Sequence, residues 1–172
     1  MFEDYACIFT RRGADYDSAM RRFPEARREE FAAILRLAAP RAGETLIDLP
    51  AGGGYLQDYL DSDAIHLIAI EPAAAFHALC RTRVRESHLA PLTALPLRDQ
   101  HADLALSLAG LHHESERLRI FREVFRVLRP GGRFAIAEVA VNSAPARFLN
   151  EFVNQLSAPG RKRRPRADIN LV

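Results

Sequence analysis

The strongest candidate for chemistry in this sequence is the segment Asp48-Leu-Pro-Ala-Gly-Gly-Gly54, which comes directly after a short apolar run. Three consecutive glycines let the backbone approach a ligand closely, and a helix that starts after them presents free N–H groups. Because a tight turn alone does not require three glycines, we interpret the segment as a ligand-binding loop.

The loop follows neither of the common phosphate-binding patterns. A nucleotide phosphate loop would continue with Gly-Lys-Ser or Gly-Lys-Thr, whereas Gly54 is followed by Tyr55. The dinucleotide pattern G-x-G-x-x-G would place its last glycine at position 57, which is Gln57. The sequence therefore favours a ligand that binds without a phosphate group.

Glu71 is a second candidate, because it ends another apolar run, Ala64 to Ile70. A carboxylate at the end of a second parallel strand can accept hydrogen bonds from the hydroxyls of a ribose. The alternative is a solvent-exposed acid that merely precedes Pro72. A glycine loop after one strand and an acid after the next together describe a nucleoside site.

Alternating strands and helices are predicted to position these residues. Short apolar runs predict strands at 45–49, 64–70, 88–92, 103–108 and 133–139. Helical spacing and flanking residues predict helices at 24–38, 55–60, 73–85, 116–128 and 145–156. The helix at 116–128 is expected to bury one face, made of Leu118, Phe121, Val124, Phe125 and Leu128. This alternation indicates an α/β fold with an open, mainly parallel sheet and helices on both faces.

Length and composition indicate an ordinary globular domain. The 172 residues suffice for one core, and 48% hydrophobic and 27% charged residues are typical values. A net charge of +2 gives no reason to expect a polyanionic partner. Cys7 and Cys80 lack metal-ligand spacing, which predicts no metal site and a reduced, cytoplasmic protein. No apolar run approaches the roughly 20 residues that cross a membrane, so no membrane partner is expected.

Five motifs in this order resemble those of the class I S-adenosylmethionine (SAM)-dependent methyltransferases, particularly those that act on small molecules. The segment Thr45 to Gly54 is similar to that family's first motif, and Ile70-Glu71-Pro72 to its second, whose acid binds ribose. Later stretches that resemble further signatures are Ala94 to Leu97 with Asp103 to Leu108, Leu111 to His113, and Val127 to Arg133. The resemblance covers about residues 44–139 and implies a Rossmann-like sheet.

The resemblance also implies that the chain binds SAM and transfers its methyl group to a small-molecule acceptor. The residues expected to bind the cofactor are Asp48, Pro50, Ala51, Gly52, Gly54, Glu71 and Thr93. Asp48 and the glycines would hold the methionine part, and Glu71 the ribose. His112 and His113 follow the fourth strand, where the family's active-site rim lies. One of them could act as a general base or orient the substrate, and a purely structural role is the equal alternative.

Two positions depart from the family pattern. Pro50 stands where the family usually has glycine, and its fixed φ and added bulk predict a displaced or weakly bound methionine end. Pro91-Leu92-Thr93 stands where an acid commonly binds adenine, so adenine recognition would rest on backbone groups, the Thr93 hydroxyl or packing. These departures favour the main alternative, a non-catalytic protein of the same fold. A nicotinamide-dependent oxidoreductase is a second alternative, which the glycine spacing disfavours.

We predict one domain over residues 1–172, with a cofactor-binding core at 44–139. Residues 1–43 are expected to form a helical cap. Within it, Tyr16-Asp17 either closes over the cofactor or lies on a plain surface helix.

Residues 140–172 are expected to form a short helical and basic segment with incomplete C-terminal strands. The family places two further strands there, and residues 157–172 are too few to supply them. The chain is then a truncated product, or Ala167 to Val172 adds one strand, or a partner chain covers the sheet edge, and we hypothesise a homodimer. The basic run Arg161 to Arg166 lacks interleaved aromatic residues, so we interpret it as a solvated loop rather than a nucleic-acid contact.

Overall fold

The computed structural model describes residues 5–61, 63–140, 143, 144 and 147. The helices are α1 (Tyr5–Arg22), α2 (Arg28–Ala38), α3 (Ala74–Cys80) and α4 (Arg117–Val127). The strands are β1 (Thr45–Asp48), β2 (His66–Glu71), β3 (Glu86–Leu89), β4 (Ala102–Leu108) and β5 (Leu128–Ala137). Short 3-10 helices occupy Pro24–Arg27, Tyr55–Tyr59 and Leu111–His113.

The strands form one parallel sheet in the order β3-β2-β1-β4-β5. From β1 the chain adds β2 and β3 on one side of the sheet, and it then adds β4 and β5 on the other side of β1. In open α/β sheets such a reversal leaves a crevice at the carboxyl ends of the strands, where ligands bind. The glycine loop follows β1 and Glu71 ends β2, so both belong to this edge of the sheet. The predicted α/β class and parallel sheet are confirmed.

The central strands supply side chains to two apolar cores, because successive residues of a strand face opposite sides of the sheet. On one side Leu46 and Leu104 cluster with Ile34 of α2. On the other side Ile47 clusters with Val124 of α4. Helices therefore cover both faces, which explains why the central strands are almost continuously apolar.

α4 buries a face that only partly matches the one that the sequence predicted. Leu118 and Phe125 are 74% and 83% exposed, and Phe121 is 37% exposed. Val124 is buried as predicted, but the other buried residues of the helix are Ile120 and Val127, which the prediction left out. The prediction was wrong for Leu118 and Phe125 because this helix carries two apolar stripes, and spacing alone does not show which of them the sheet covers.

Several other elements differ from their predicted bounds. α3 ends at Cys80 rather than at position 85, and the helix expected at 55–60 is a 3-10 helix. β5 begins at Leu128 and includes Pro130-Gly131-Gly132, which were expected to turn the chain before the strand. Leu128 already pairs with Ala102, and the register then shifts across a bulge in which Gly131 has a φ of +80°.

The chain divides after Ala137 into two units. In the second unit, the Ser143 N–H donates to the Ala140 carbonyl (3.2 Å), and the Arg147 N–H donates to the Ser143 carbonyl (3.0 Å). The helix predicted at 145–156, the basic run at 161–166 and the strand considered at 167–172 lie outside the described residues. Among the described helices, none combines the length and the apolar character needed to cross a membrane.

Candidate functional site

The loop after β1 stays tied to both neighbouring strands before it turns. The Leu49 N–H donates to the Leu106 carbonyl on β4, and the Ala51 N–H donates to the Ile70 carbonyl on β2, both at 3.0 Å. The parallel pairing is thus prolonged beyond β1, and the start of the glycine segment is held at the edge of the sheet.

The three glycines of the loop have separate reasons to be glycine. Gly52 and Gly54 have φ angles of +57° and +80°, which residues other than glycine rarely adopt. Gly53 lacks space instead, because a Cβ there would lie 2.6 Å from the Tyr55 hydroxyl oxygen. The sequence Gly-Gly-Gly therefore follows from two backbone conformations and one close approach.

Glu71 lies in direct contact with this loop. Its Oε2 accepts hydrogen bonds from the Gly52 N–H (2.7 Å) and the Tyr5 hydroxyl (3.2 Å), and its Oε1 accepts one from the Ala73 N–H (2.7 Å). The side chain is fully buried. Burial raises the pKa of Glu71 to about 8, the three hydrogen bonds lower it, and the nearby Asp48 carboxyl raises it further. The acid and the glycine loop are thus in contact, as their sequence positions predicted.

Asp48 is a second buried carboxyl at the same edge of the sheet. Within the described part of the chain, no group donates a hydrogen bond to it. Burial raises the pKa of Asp48 to about 7, although the positive charge of Arg27 opposes the rise. An acid in this state favours the arrival of a positively charged group.

The sequence left open whether Tyr16-Asp17 closes over the cofactor or lies on a plain surface helix. In the structure, Asp17 of α1 is buried and hydrogen-bonded to Tyr55, which directly follows the glycine loop. Asp17 is fully buried, and its Oδ1 accepts hydrogen bonds from the Tyr55 hydroxyl and from Arg83, both at 3.0 Å. Arg83 also donates to the Gly53 carbonyl (2.9 Å). Arg21 forms an ion pair with the other carboxylate oxygen at 3.0 Å. Asp17 therefore joins α1, the loop and the segment after α3.

Pro50 packs against the end of β4. The Leu49–Pro50 peptide is cis, and a Cβ at Gly110 would overlap the Pro50 ring. A residue with no side chain at position 110 thus makes room for a proline where the family usually has glycine. Whether the ring displaces the methionine end of the cofactor stays a prediction.

His112 and His113 lie in the 3-10 helix after β4, with ring centroids 3.9 Å apart. The His113 ring is 5.6 Å from Phe9 and 6.2 Å from Tyr5, centroid to centroid. The histidines, the amino-terminal end of α1 and Glu71 are therefore neighbours through Tyr5. The geometry is compatible with a role on an acceptor, and the catalytic assignment stays a prediction.

Thr93 is half-buried in the loop after β3. The Ala90 N–H, at the start of that loop, lies 3.4 Å from the Glu71 carbonyl.

Two residues that sequence reasoning missed are Tyr5 and Arg83. Each makes its key contact, with Glu71 and Asp17 respectively, across a separation of 66 positions. No local pattern marks such a contact, so the sequence held no signal for either.

The chemical groups of the site fit SAM. Glu71 offers carboxylate oxygens to the hydroxyls of a ribose, and Asp48 offers a buried negative charge to a cationic methionine end. The glycine loop offers bare backbone and no lysine for a phosphate. With the strand order of the sheet, these features define a Rossmann-like domain that binds a nucleoside.

Residues 47–136 match the family model of the methyltransferase domain, and the chain belongs to this family, the class I SAM-dependent methyltransferases. SAM is therefore the cofactor of the domain. The assignment of individual residues to parts of SAM remains a prediction.

Named relatives agree with this membership. The ubiquinone/menaquinone biosynthesis C-methyltransferase UbiE of Rubrivivax gelatinosus is 30% identical over 127 residues, covering 72% of this chain and 49% of the relative. The arsenite methyltransferase of Halobacterium salinarum is 31% identical over 119 residues, covering 63% and 30%. This chain thus spans half or less of the length of these curated relatives.

Solved structures show the same fold. A SAM-dependent methyltransferase from Thermotoga maritima, described as a possible histamine N-methyltransferase, has a TM-score of 0.75 at 21% identity. The comparison covers 88% of this chain and 70% of that one. The YcgJ protein of Bacillus subtilis has a TM-score of 0.61 at 23% identity, covering 74% and 57%. The predicted Rossmann-like sheet is confirmed by these likenesses.

Proposed function

We propose that this chain forms the cofactor-binding part of a methyltransferase that uses SAM to methylate a small-molecule acceptor. The observation that carries the proposal is the contact between Glu71 and the backbone of Gly52, which joins an acid and a glycine loop at the crevice of the sheet. Family membership supplies the cofactor, and this contact supports the proposal that its adenosyl group binds beside Glu71 and the glycine loop.

In the proposed complex, Glu71 accepts hydrogen bonds from the ribose, and Asp48 faces the positively charged methionine end. Bound SAM supplies an electrophilic methyl group on a cationic sulfur. The contribution of the protein is to align the acceptor with that methyl group and to exclude water. His113 or His112 would orient the acceptor, or take a proton from an acceptor that must lose one.

The acceptor is proposed to be a small organic or inorganic molecule. Relatives named for quinone biosynthesis and for arsenite support this class, and none of their substrates is assigned to this chain. The cytoplasmic location stays a prediction. The homodimer also stays a prediction, and light scattering that finds a monomer would count against it.

A non-catalytic protein of the same fold is the second candidate, and one observation favours it. The Pro50 ring fills the space beside Gly110, at the part of the loop where the methionine end is expected. SAM with a labelled methyl group, incubated with the protein and a pool of small metabolites, separates the two candidates. Transfer of label supports the enzyme, whereas binding without transfer supports the scaffold.

Calorimetric titration tests the cofactor site itself. The wild-type chain is expected to bind SAM and not NAD, and Glu71→Ala is expected to weaken SAM binding markedly. Glu86→Ala is the matched control, because Glu86 is a partly exposed acid at the start of neighbouring β3 and contacts His66 and His88. Failure of the wild type to bind SAM at millimolar ligand would contradict the proposed function. Unchanged affinity of Glu71→Ala would show that Glu71 does not bind the ribose.

A further inference from the structure

The amino-terminal end of α1 occupies the carboxylate that the ribose is proposed to use. The Tyr5 hydroxyl donates to Glu71 Oε2, the same oxygen that accepts the Gly52 N–H. The Tyr5 side chain is itself buried. A phenol hydroxyl on a carboxylate offers the same donor chemistry as a sugar hydroxyl. Tyr5 therefore holds the position of a ligand group.

Tyr5 is the partner of Glu71 that can leave. The other two donors, the N–H groups of Gly52 and Ala73, belong to the loop and the strand end that build the site. Glu71 has no exposed surface. A ribose therefore cannot reach the carboxylate while the Tyr5 ring stays in place.

Aromatic packing holds this end of α1 closed. The Phe9 ring stacks on Phe76 of α3 at a centroid distance of 5.0 Å and meets His113 edge-on at 5.6 Å. Tyr5 and Phe9 are themselves 4.5 Å apart, centroid to centroid. These are contacts between rings, which depend on close packing rather than on paired charges.

The other end of α1 is held by charge. Asp17 is bound by Arg83, Arg21 and the Tyr55 hydroxyl, and removal of such a buried carboxylate from its partners is costly. Gly13 lies between the two ends and packs against α3, where a Cβ would lie 3.2 Å from the Phe76 ring. The helix is thus attached by charge at Asp17 and by ring contacts at Tyr5 and Phe9.

We propose that the first turns of α1 are a gate on the cofactor site, which Tyr5 closes by binding Glu71 and opens by leaving it when the adenosyl group enters. Asp17 is the fixed end of the gate and keeps the glycine loop in position throughout. The proposal rests on the proposed function, because SAM is the ligand that displaces Tyr5. The same movement uncovers His113, so entry of the cofactor also prepares the acceptor side of the site.

The two ends of α1 then have opposite effects on ligand binding, which gives the test. Tyr5→Phe keeps the ring and its packing but removes the hydroxyl that competes for Glu71, so we expect about fivefold tighter binding and faster association. Asp17→Asn loosens the fixed end, so we expect about tenfold weaker binding. The probe is S-adenosylhomocysteine, which carries the same adenosyl group, titrated into the full chain at about pH 9, where most Glu71 is ionised.

Tyr59→Phe is the matched control, because its hydroxyl donates to the Pro24 carbonyl and not to Glu71. This variant should bind as the wild type does. Tyr55→Phe removes one bond of the fixed end and replaces Asp17→Asn if that variant fails to fold. Hydrogen exchange in residues 5–12 of the ligand-free protein should be faster in Tyr5→Phe than in Tyr59→Phe.

Weaker or unchanged binding by Tyr5→Phe overturns the gate while leaving the proposed function intact, since weaker binding would make Tyr5 a cofactor contact. Wild-type affinity in Asp17→Asn, or in Tyr55→Phe, overturns the fixed end. If neither the wild type nor any variant binds the probe, the proposed function fails and the gate falls with it. Opposite shifts in the two variants support the gate.

Discussion

Two carboxyl groups at the ends of neighbouring strands show how differently one crevice can treat an acid. Glu71, on β2, receives two backbone N–H groups and one tyrosine hydroxyl. Asp48, on β1, receives no hydrogen bond from the described residues. Both are buried, and burial raises the pKa of both, to about 8 and about 7. Groups of the protein therefore orient Glu71 in the absence of a ligand, whereas we expect Asp48 to find its partner in a positively charged group of the ligand.

Replacing Glu71 by glutamine is expected to have the largest effect. At about pH 9, where most Glu71 is ionised, Glu71→Gln keeps the shape of the side chain and removes the charge that strengthens hydrogen bonds from two ribose hydroxyls, so SAM affinity should fall about 100-fold. Calorimetry on the variant and on Glu86→Gln gives the comparison. A fall as small as that of the control would mean that Glu71 only holds the glycine loop.

The stability of the ligand-free protein should decrease as the pH rises from about 5 to about 8. Both acids have pKa values raised by folding, so the folded state binds more protons than the unfolded state in this range. Their contribution is fully present at low pH and is lost as the pH passes through about 7 and about 8. Acids with lowered pKa values, such as Glu44 and Glu123, change in the opposite sense and at lower pH.

Urea unfolding at a series of pH values measures this trend. The difference in free energy of unfolding between Asp48→Asn and the wild type should increase by on the order of 2 kcal/mol in favour of the variant as the pH rises from about 5 to about 8. The variant has no acid at position 48 to titrate, so it loses less stability over this range. Parallel curves for the two proteins would show that Asp48 has an ordinary pKa in the folded state.

Asp48→Asn should affect SAM binding less than Glu71→Gln does. The asparagine retains an oxygen but gives no charge to the methionine end, so the expected loss of affinity is about tenfold. The loss should be smaller for a ligand that lacks the sulfonium charge, and titration with S-adenosylhomocysteine checks this. An equal loss for the two ligands would place Asp48 away from the sulfur.

Local patterns carried most of what could be predicted. The strand before Asp48 and the strand before Glu71 are short apolar runs with clear ends, and three glycines in a row restrict the loop between strand and helix. Since parallel strands end at the same edge of a sheet, the meeting of the loop with Glu71 followed from the order of the elements.

Contacts between distant segments could not be predicted. The bond between Tyr5 and Glu71 and the bond between Asp17 and Arg83 each span 66 positions, and neither partner belongs to a recognisable motif pair. The prediction of the buried face of α4 was wrong for a different reason. Phe125 and Ile120 lie on two apolar stripes with the same helical spacing. Burial of one stripe depends on the sheet beneath it, which the helix sequence alone does not contain.

The close fit of Pro50 against Gly110 links the variation of two positions that lie far apart in the chain. A proline at 50 is compatible only with bare backbone at 110, because any side chain there would meet the ring. A relative of this domain that carries a side chain at position 110 is therefore expected to carry a residue other than proline at position 50. Natural variants that carry both a proline and a side chain at these two positions should be absent.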